Sequence, residues 1–178
     1  MPAAVANRQR RVRISTARLK TTAELALRAL DRADRDVHVT VVDDSAMRQL
    51  NARWMGSRKS TDVLAFDLAA PGPSRLLGEV VVSADTARRQ ARERGVPVAL
   101  ELDLLVVHGL LHLSGYDDRD PSEARLMHER AREILAAAHR RAPRNLWIGL
   151  LDDGPGAPMS AGAKRPNPAT VRLGGAAR

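Results

Sequence analysis

Two histidines four residues apart, His108 and His112, close a long apolar run and are followed by Ser114-Gly115-Tyr116-Asp117-Asp118. On an α-helix this spacing puts both imidazoles on one face, about one turn apart, where two neutral rings can point at a single transition-metal ion. Gly115 can take the left-handed conformation that ends a helix and turns the chain back. That turn would bring Asp117 or Asp118 round to the open side of the ion. A lone histidine on an apolar helix is ordinarily a packed residue with satisfied hydrogen bonds. A pair at ligand spacing, followed by a glycine and a carboxylate, reads instead as a metal site. Between the two rings stands Gly-Leu-Leu, so the glutamate that zinc proteases use as general base in H-E-x-x-H is missing, which argues against peptide hydrolysis.

The helix that must carry the pair runs from about Val98, after the break at Gly95-Val96-Pro97, to Leu113. Leu102, Leu104, Leu105, Val106, Val107, Leu110 and Leu111 make it apolar nearly all round, with Glu101 and Asp103 its only acids. Such a helix is buried at the centre of a domain. Ahead of it the pattern predicts a short basic edge strand at Arg10–Ile14, a helix over about 17–32 capped by Ser15 or Thr16, and a strand over 37–42. A helix from Asp44 or Ser45 to Gly56, strands over Thr61–Phe66 and Leu77–Ser83, and a helix capped within Ser83–Asp85 and ending at Arg94 follow. A last helix starts at Asp120-Pro121 and runs to about Ala138, and Leu146 to Leu151 can dock one more apolar turn. His128 on the last helix is a packing residue or a substitute third ligand, and His38 a packing or surface residue. The sum is an α+β domain: a small mixed four-stranded sheet packed with about five helices around the central apolar helix.

One domain suits 178 residues. Cysteine is absent, which excludes disulfides and thiolate ligands. No run reaches the roughly 18 apolar residues needed to span a bilayer, and the N-terminus has no signal-peptide pattern, so a soluble cytoplasmic protein without a membrane partner is expected. The formal charge of +8 sits at the ends: residues 1–20 hold six basic and no acidic groups, and residues 141–178 six basic and two acidic. Of 29 basic and 21 acidic residues the body therefore keeps 17 and 19. Phosphate contact in the body must come from a local cluster, and Arg88, Arg89, Arg92 and Arg94 supply one, although such a run is commonly just a solvated helix face. With Trp54, Phe66, Tyr116 and Trp147 as the whole aromatic set, base stacking is poorly supplied and recognition of RNA by backbone and shape is favoured.

Residues 108–118 resemble the signature H-G-x-x-H-L-x-G-Y-D-H of the YbeY family, bacterial ribosomal RNA maturation factors described as zinc-dependent endoribonucleases. Leu50–Phe66 resembles that family's L-N-x-x-Y-R-x-x-D-K-P-T-D-V-L-S-F, and Leu77–Ser83 its L-G-D-I-V-I-S. The resemblance covers about residues 8–140. It implies a similar fold and a single-strand-specific endoribonuclease of ribosomal RNA maturation, with RNA and the small ribosomal subunit as partners. It also implies one zinc ion per chain, held by His108, His112 and Asp118. Asp118 stands where the family has its third histidine, and an aspartate oxygen is an acceptable zinc ligand. The family's arginine position is occupied by Met55, so Arg53 and Arg58 become the candidates for its catalytic role, and Arg58, Lys59, Arg88, Arg89 and Arg92 those for RNA contact. Because both departures fall on the family's chemistry, the alternative is a catalytically weakened RNA-binding ribosome assembly factor of the same fold. The expected division is a flexible segment 1–7, a metal-dependent hydrolase domain 8–151, and a disordered basic tail 152–178.

Overall fold

The computed structural model describes residues 2–57, 61–139, 143–147 and 170–172. Its elements are β1 (Ala3–Asn7), α1 (Thr16–Ala29), β2 (Asp36–Val42), α2 (Asp44–Met55), β3 (Val63–Asp67), β4 (Leu76–Ser83), α3 (Ala84–Arg94), α4 (Val98–Leu113) and α5 (Pro121–His139), followed by a 3-10 turn, Arg144–Trp147, and β5 (Thr170–Arg172). The strands lie in the order β1-β2-β4-β3-β5. β1, β2 and β4 run parallel, β3 is antiparallel to β4, and the three-residue β5 extends the sheet parallel to β3. Among the described residues the fold is thus α+β, with a mixed sheet and five α-helices.

Local chemistry sets the helix starts. Ser15, Asp43 and Ser83 each turn a side-chain oxygen back to accept an N–H of the first turn, from Arg18, Ala46 and Thr86 at 3.2, 2.8 and 3.2 Å. Strand alternation then assigns each face of the sheet. Val80 and Val82 of β4 and Val63 and Ala65 of β3 join the main core with α1 and α4, whereas Val81, Leu64 and Phe66 face the other way, towards α2.

Every residue of α4 from Leu100 to Leu113 is buried. Its two acids are not left alone there: the Arg94 guanidinium reaches Glu101 at 2.5 Å, while Arg18 and the Thr22 hydroxyl reach Asp103 at 2.7 and 2.9 Å. These pairs tie α4 to α3 and α1. The helix can come this close to the sheet because of Gly109, where an added Cβ would lie 2.5 Å from a Val80 methyl and 3.3 Å from one of Val63. At Gly78 of β4 an added Cβ would lie 2.3 Å from the Phe66 carbonyl oxygen and 2.9 Å from a Leu113 methyl.

The N-terminus departs from expectation. Residues 3–7 are not a flexible segment but the edge strand β1, and the strand expected at Arg10–Ile14 is a loop. The reason lies in Gln9. Its side-chain oxygen accepts the N–H groups of Arg11 and Val12 at 2.8 and 2.9 Å, and its amide donates to the Val12 carbonyl at 2.9 Å. The loop thereby satisfies its own backbone, and Val12 is inserted into the core without a strand. Ala3 to Asn7, poor strand formers by composition, are held by pairing with β2. Of the tail, only 170–172 falls among the described residues; Arg58 and Lys59 also lie outside them. Among the described residues no single helix is long and apolar enough to cross a membrane.

Candidate metal centre

The last turn of α4 presents the two imidazoles with ring centroids 4.9 Å apart and planes at 82°. Beyond it the chain reverses over a compact turn: the N–H groups of Ser114, Gly115 and Tyr116 return to the carbonyls of Leu110, His112 and Leu111, each at 3.0 Å. Gly115 sits at φ +99°, in the region that an L side chain rarely enters. This reversal carries Asp118 back to the rings. Its Oδ2 lies 3.5 Å from His108 Nε2 and 3.9 Å from His112 Nε2. Asp117 goes elsewhere, pairing with Arg119 on the surface, and that partner holds its carboxyl at about 2.

The three side chains form a group whose candidate ligand atoms all lie within 4.8 Å of one another. Four ligands placed tetrahedrally at zinc distances stand about 3.3 Å apart, so the 3.5 and 3.9 Å separations suit a small ion with little movement. Two atoms of the group, His112 Nε2 and Asp118 Oδ1, are buried without a hydrogen-bond partner among the described residues. Buried polar atoms normally have one, and a nitrogen lone pair beside a carboxylate oxygen is a donor set for a divalent cation. The tautomer agrees: His112 Nδ1 is 3.1 Å from the Tyr116 carbonyl, to which it can only donate, leaving the Nε2 lone pair for the ion. The residues present therefore fit a metal.

Electrostatics agree with a site prepared for a cation. Burial, helped by neighbouring His108, pushes His112 down to about 4, so its ring is neutral and able to coordinate at pH 7. Burial raises Asp118, but the neighbouring His108 and His112 rings outweigh it and leave the carboxyl below its ordinary value.

These shifts set a pH dependence. Between about 6.5 and about 4 the unfolded chain takes up a proton at His112 that the folded chain refuses, so stability rises with pH across that window and falls on acidification. Thermal melts of the metal-free protein are expected to drop over this range, with a shallower slope in His112→Gln.

The other candidate residues that the structure describes lie outside this three-residue group. His128 of α5 stacks on His108 at 5.9 Å and 20°, outside the three-residue group. Arg53 stacks over Trp54 at 5.2 Å and lines a groove of about 610 Å³ beside α2, on the face of the sheet away from α4. Met55 ends α2 and is 37% exposed. Arg88 and Arg89 are engaged with Asp85 and Asp44 at 3.5 and 2.6 Å, and Arg92 is exposed. Sequence reasoning passed over Asp62, which is buried and lies within electrostatic reach of His108. The signal available was a charged residue at the head of an apolar strand.

Comparison with known proteins adds the family. The model described as "Endoribonuclease YbeY" matches residues 4–139. A curated protein of that name from Anaeromyxobacter sp. (strain Fw109-5) is 45% identical over 128 residues, 71% of this chain and 67% of the relative. Another from Geobacter metallireducens is 40% identical over 147 residues, 79% of this chain and 97% of the relative. The solution structure of TM1509 from Thermotoga maritima superposes with a TM-score of 0.55 at 23% identity, covering 83% of this chain and 90% of that one, a likeness of fold.

Proposed function

Since the chain belongs to the YbeY family, we propose that it is a zinc-dependent endoribonuclease, cutting single-stranded RNA in the maturation of ribosomal RNA, in the cytoplasm and on the small ribosomal subunit. One observation carries the chemistry: two buried atoms with no hydrogen-bond partner among the described residues, His112 Nε2 and Asp118 Oδ1, belong to one group with His108. On this reading His108, His112 and Asp118 hold one zinc ion per chain. Zinc bound by three protein ligands supplies an acidified water and a Lewis acid for a phosphoryl oxygen.

The chain's own residues supply the rest. The Tyr116 carbonyl keeps the His112 ring in the ligating tautomer. The buried wall of α4 shields one side of the site from water, which strengthens each charge interaction there. Contact with the RNA backbone is proposed for Arg88, Arg89 and Arg92, with Arg58 and Lys59. The carboxylates facing Arg88 and Arg89 offset part of their charge, so Arg92 is expected to contribute most. We read residues 8–151 as the hydrolase domain, with β1 completing its sheet, and the remaining tail as an electrostatic arm.

A second reading is favoured by Met55. Methionine cannot neutralise phosphate charge, and Arg53 beside it is stacked on Trp54 on the far face of the sheet. A factor that binds RNA and does not cut it would fit. One pair of measurements separates the readings: metal content of the purified protein against Asp118→Ala, and cleavage of a labelled single-stranded RNA. Zinc near one equivalent, reduced in the variant, together with cleavage is the expected result. Salt-sensitive RNA binding without turnover selects the second reading, and equal metal content in both proteins removes Asp118 from the ligand set.

A further inference from the structure

A ligand ring binds an ion best when its orientation is fixed beforehand, because a ring left free to turn has to be ordered at the expense of affinity. For His112 the Tyr116 carbonyl provides this from the nitrogen that does not ligate. His108 is held by its faces and edges instead. Its Nε2 looks towards Asp118 at 3.5 Å, and His112 meets it edge-on at 4.9 Å and 82°. The one flat contact is with His128 of α5, whose ring centroid is 5.9 Å away with the planes 20° apart. That geometry falls within the range of an offset aromatic stack, about 4.5–7 Å between centroids.

Packing remote from the site places His128 there. Met127, Ala131 and Leu135 of α5 are buried in the core that α4 also builds with Val107 and Leu111, and their spacing fixes one face of α5 against α4. His128 follows Met127 directly and is half-buried. The same helix starts just beyond Asp118: Asp120 Oδ1 accepts the N–H groups of Ser122 and Glu123 at 2.9 and 3.2 Å, which fixes its first turn. Asp118 and His128 therefore belong to one turn-and-helix unit, which meets the His108 imidazole both at Nε2 and on the ring.

We propose that His128 is a positioning residue of the metal centre, its ring stacking on His108 so that the His108 Nε2 is held on the ion. The proposal rests on reading His108, His112 and Asp118 as the ligands. Coordination draws electron density out of the His108 ring, and an aromatic face attracts an electron-poor ring. The stack is therefore stronger with the ion than without it, and it raises affinity for the ion. The role needs a flat aromatic surface and neither nitrogen of His128, which separates it from a further ligand. A residue that served packing alone would stabilise the metal-free and the metal-bound protein equally.

The test is zinc affinity by chelator competition, with thermal melts of the metal-free proteins, for wild type, His128→Leu, His128→Phe and the control His112→Ala. His128→Leu, which fills the space without a flat ring, is expected to bind zinc about 3- to 10-fold more weakly, with no matching loss of metal-free melting temperature. His128→Phe keeps the ring and removes both nitrogens, and is expected to bind within about 2-fold of wild type. Wild-type affinity in His128→Leu overturns the proposal, as does a loss of affinity that only follows a lowered metal-free melting temperature. A His128→Phe variant as weak as His128→Leu overturns it too, since a nitrogen of His128 would then be what the site needs. Should His128→Leu not fold, His128→Gln takes its place, and wild-type affinity there has the same meaning. When His112→Ala loses zinc and the His128 variants all bind like wild type, this proposal alone fails. When His112→Ala binds as tightly as wild type, or wild type binds no zinc, the ligand reading fails and takes the proposal with it.

Discussion

Alanine at His112 is expected to lower the rate of RNA cleavage by a factor of about a hundred or more, with zinc lost from the purified protein. The ring contributes one of three candidate ligands, and its Nε2 is aimed into the group by a hydrogen bond on its other nitrogen. Removing it leaves two ligands, too few for a stable site, and withdraws several kcal/mol of charge stabilisation at the reacting phosphate, equivalent to two orders of magnitude in rate or more. Single-turnover cleavage of a labelled RNA, beside elemental analysis, measures both quantities. Truncating a buried side chain also costs stability, about 2 kcal/mol, so His112→Gln, which keeps most of the volume, separates loss of the ion from loss of the fold. Unchanged cleavage by metal-stripped His112→Ala would remove the metal-dependent mechanism altogether.

The second large effect is structural in origin and functional in result. Gly78→Ala would place a methyl group 2.3 Å from the Phe66 carbonyl oxygen, a backbone atom of the paired strand that cannot swing aside. The β3–β4 ladder must open locally, at a cost of about 3 kcal/mol or more, which lowers the melting temperature by roughly 6–12 °C. The same methyl lies 2.9 Å from a side-chain carbon of Leu113. Leu113 follows His112 directly, so the displaced helix end carries the imidazole with it, and zinc affinity is expected to fall together with stability. Urea unfolding of the metal-free protein gives the first quantity and chelator competition the second. A variant that melts like wild type would mean that the sheet absorbs the added methyl without strain.

Most of the architecture was legible in the order of the residues. The apolar run of α4, the alternation of Val37 to Val42, and the capping positions Ser15 and Ser83 each encode an element through its own periodicity or its own side-chain hydrogen bond, and the structure forms these elements within a few residues of where the pattern ends. The N-terminus was misread because alternation at Val12 and Ile14 resembles a strand, while the competing influence, the Gln9 side chain closing a loop on itself, leaves no periodic trace. Ala3 to Asn7 carry little strand propensity of their own and are ordered by β2, a partner about thirty residues away along the chain.

For the candidate site the division is similar. By itself the sequence determined that two imidazoles share one helical face and that a glycine turn with two carboxylates follows, because both are consequences of spacing along one backbone. Only the tertiary structure decided that Asp118 turns inward while Asp117 pairs with Arg119, and that His128 stacks on His108. Those outcomes depend on how α4 crosses β3 and where α5 packs, and crossings are set by the fit of side chains remote in sequence, here by the absence of one at Gly109.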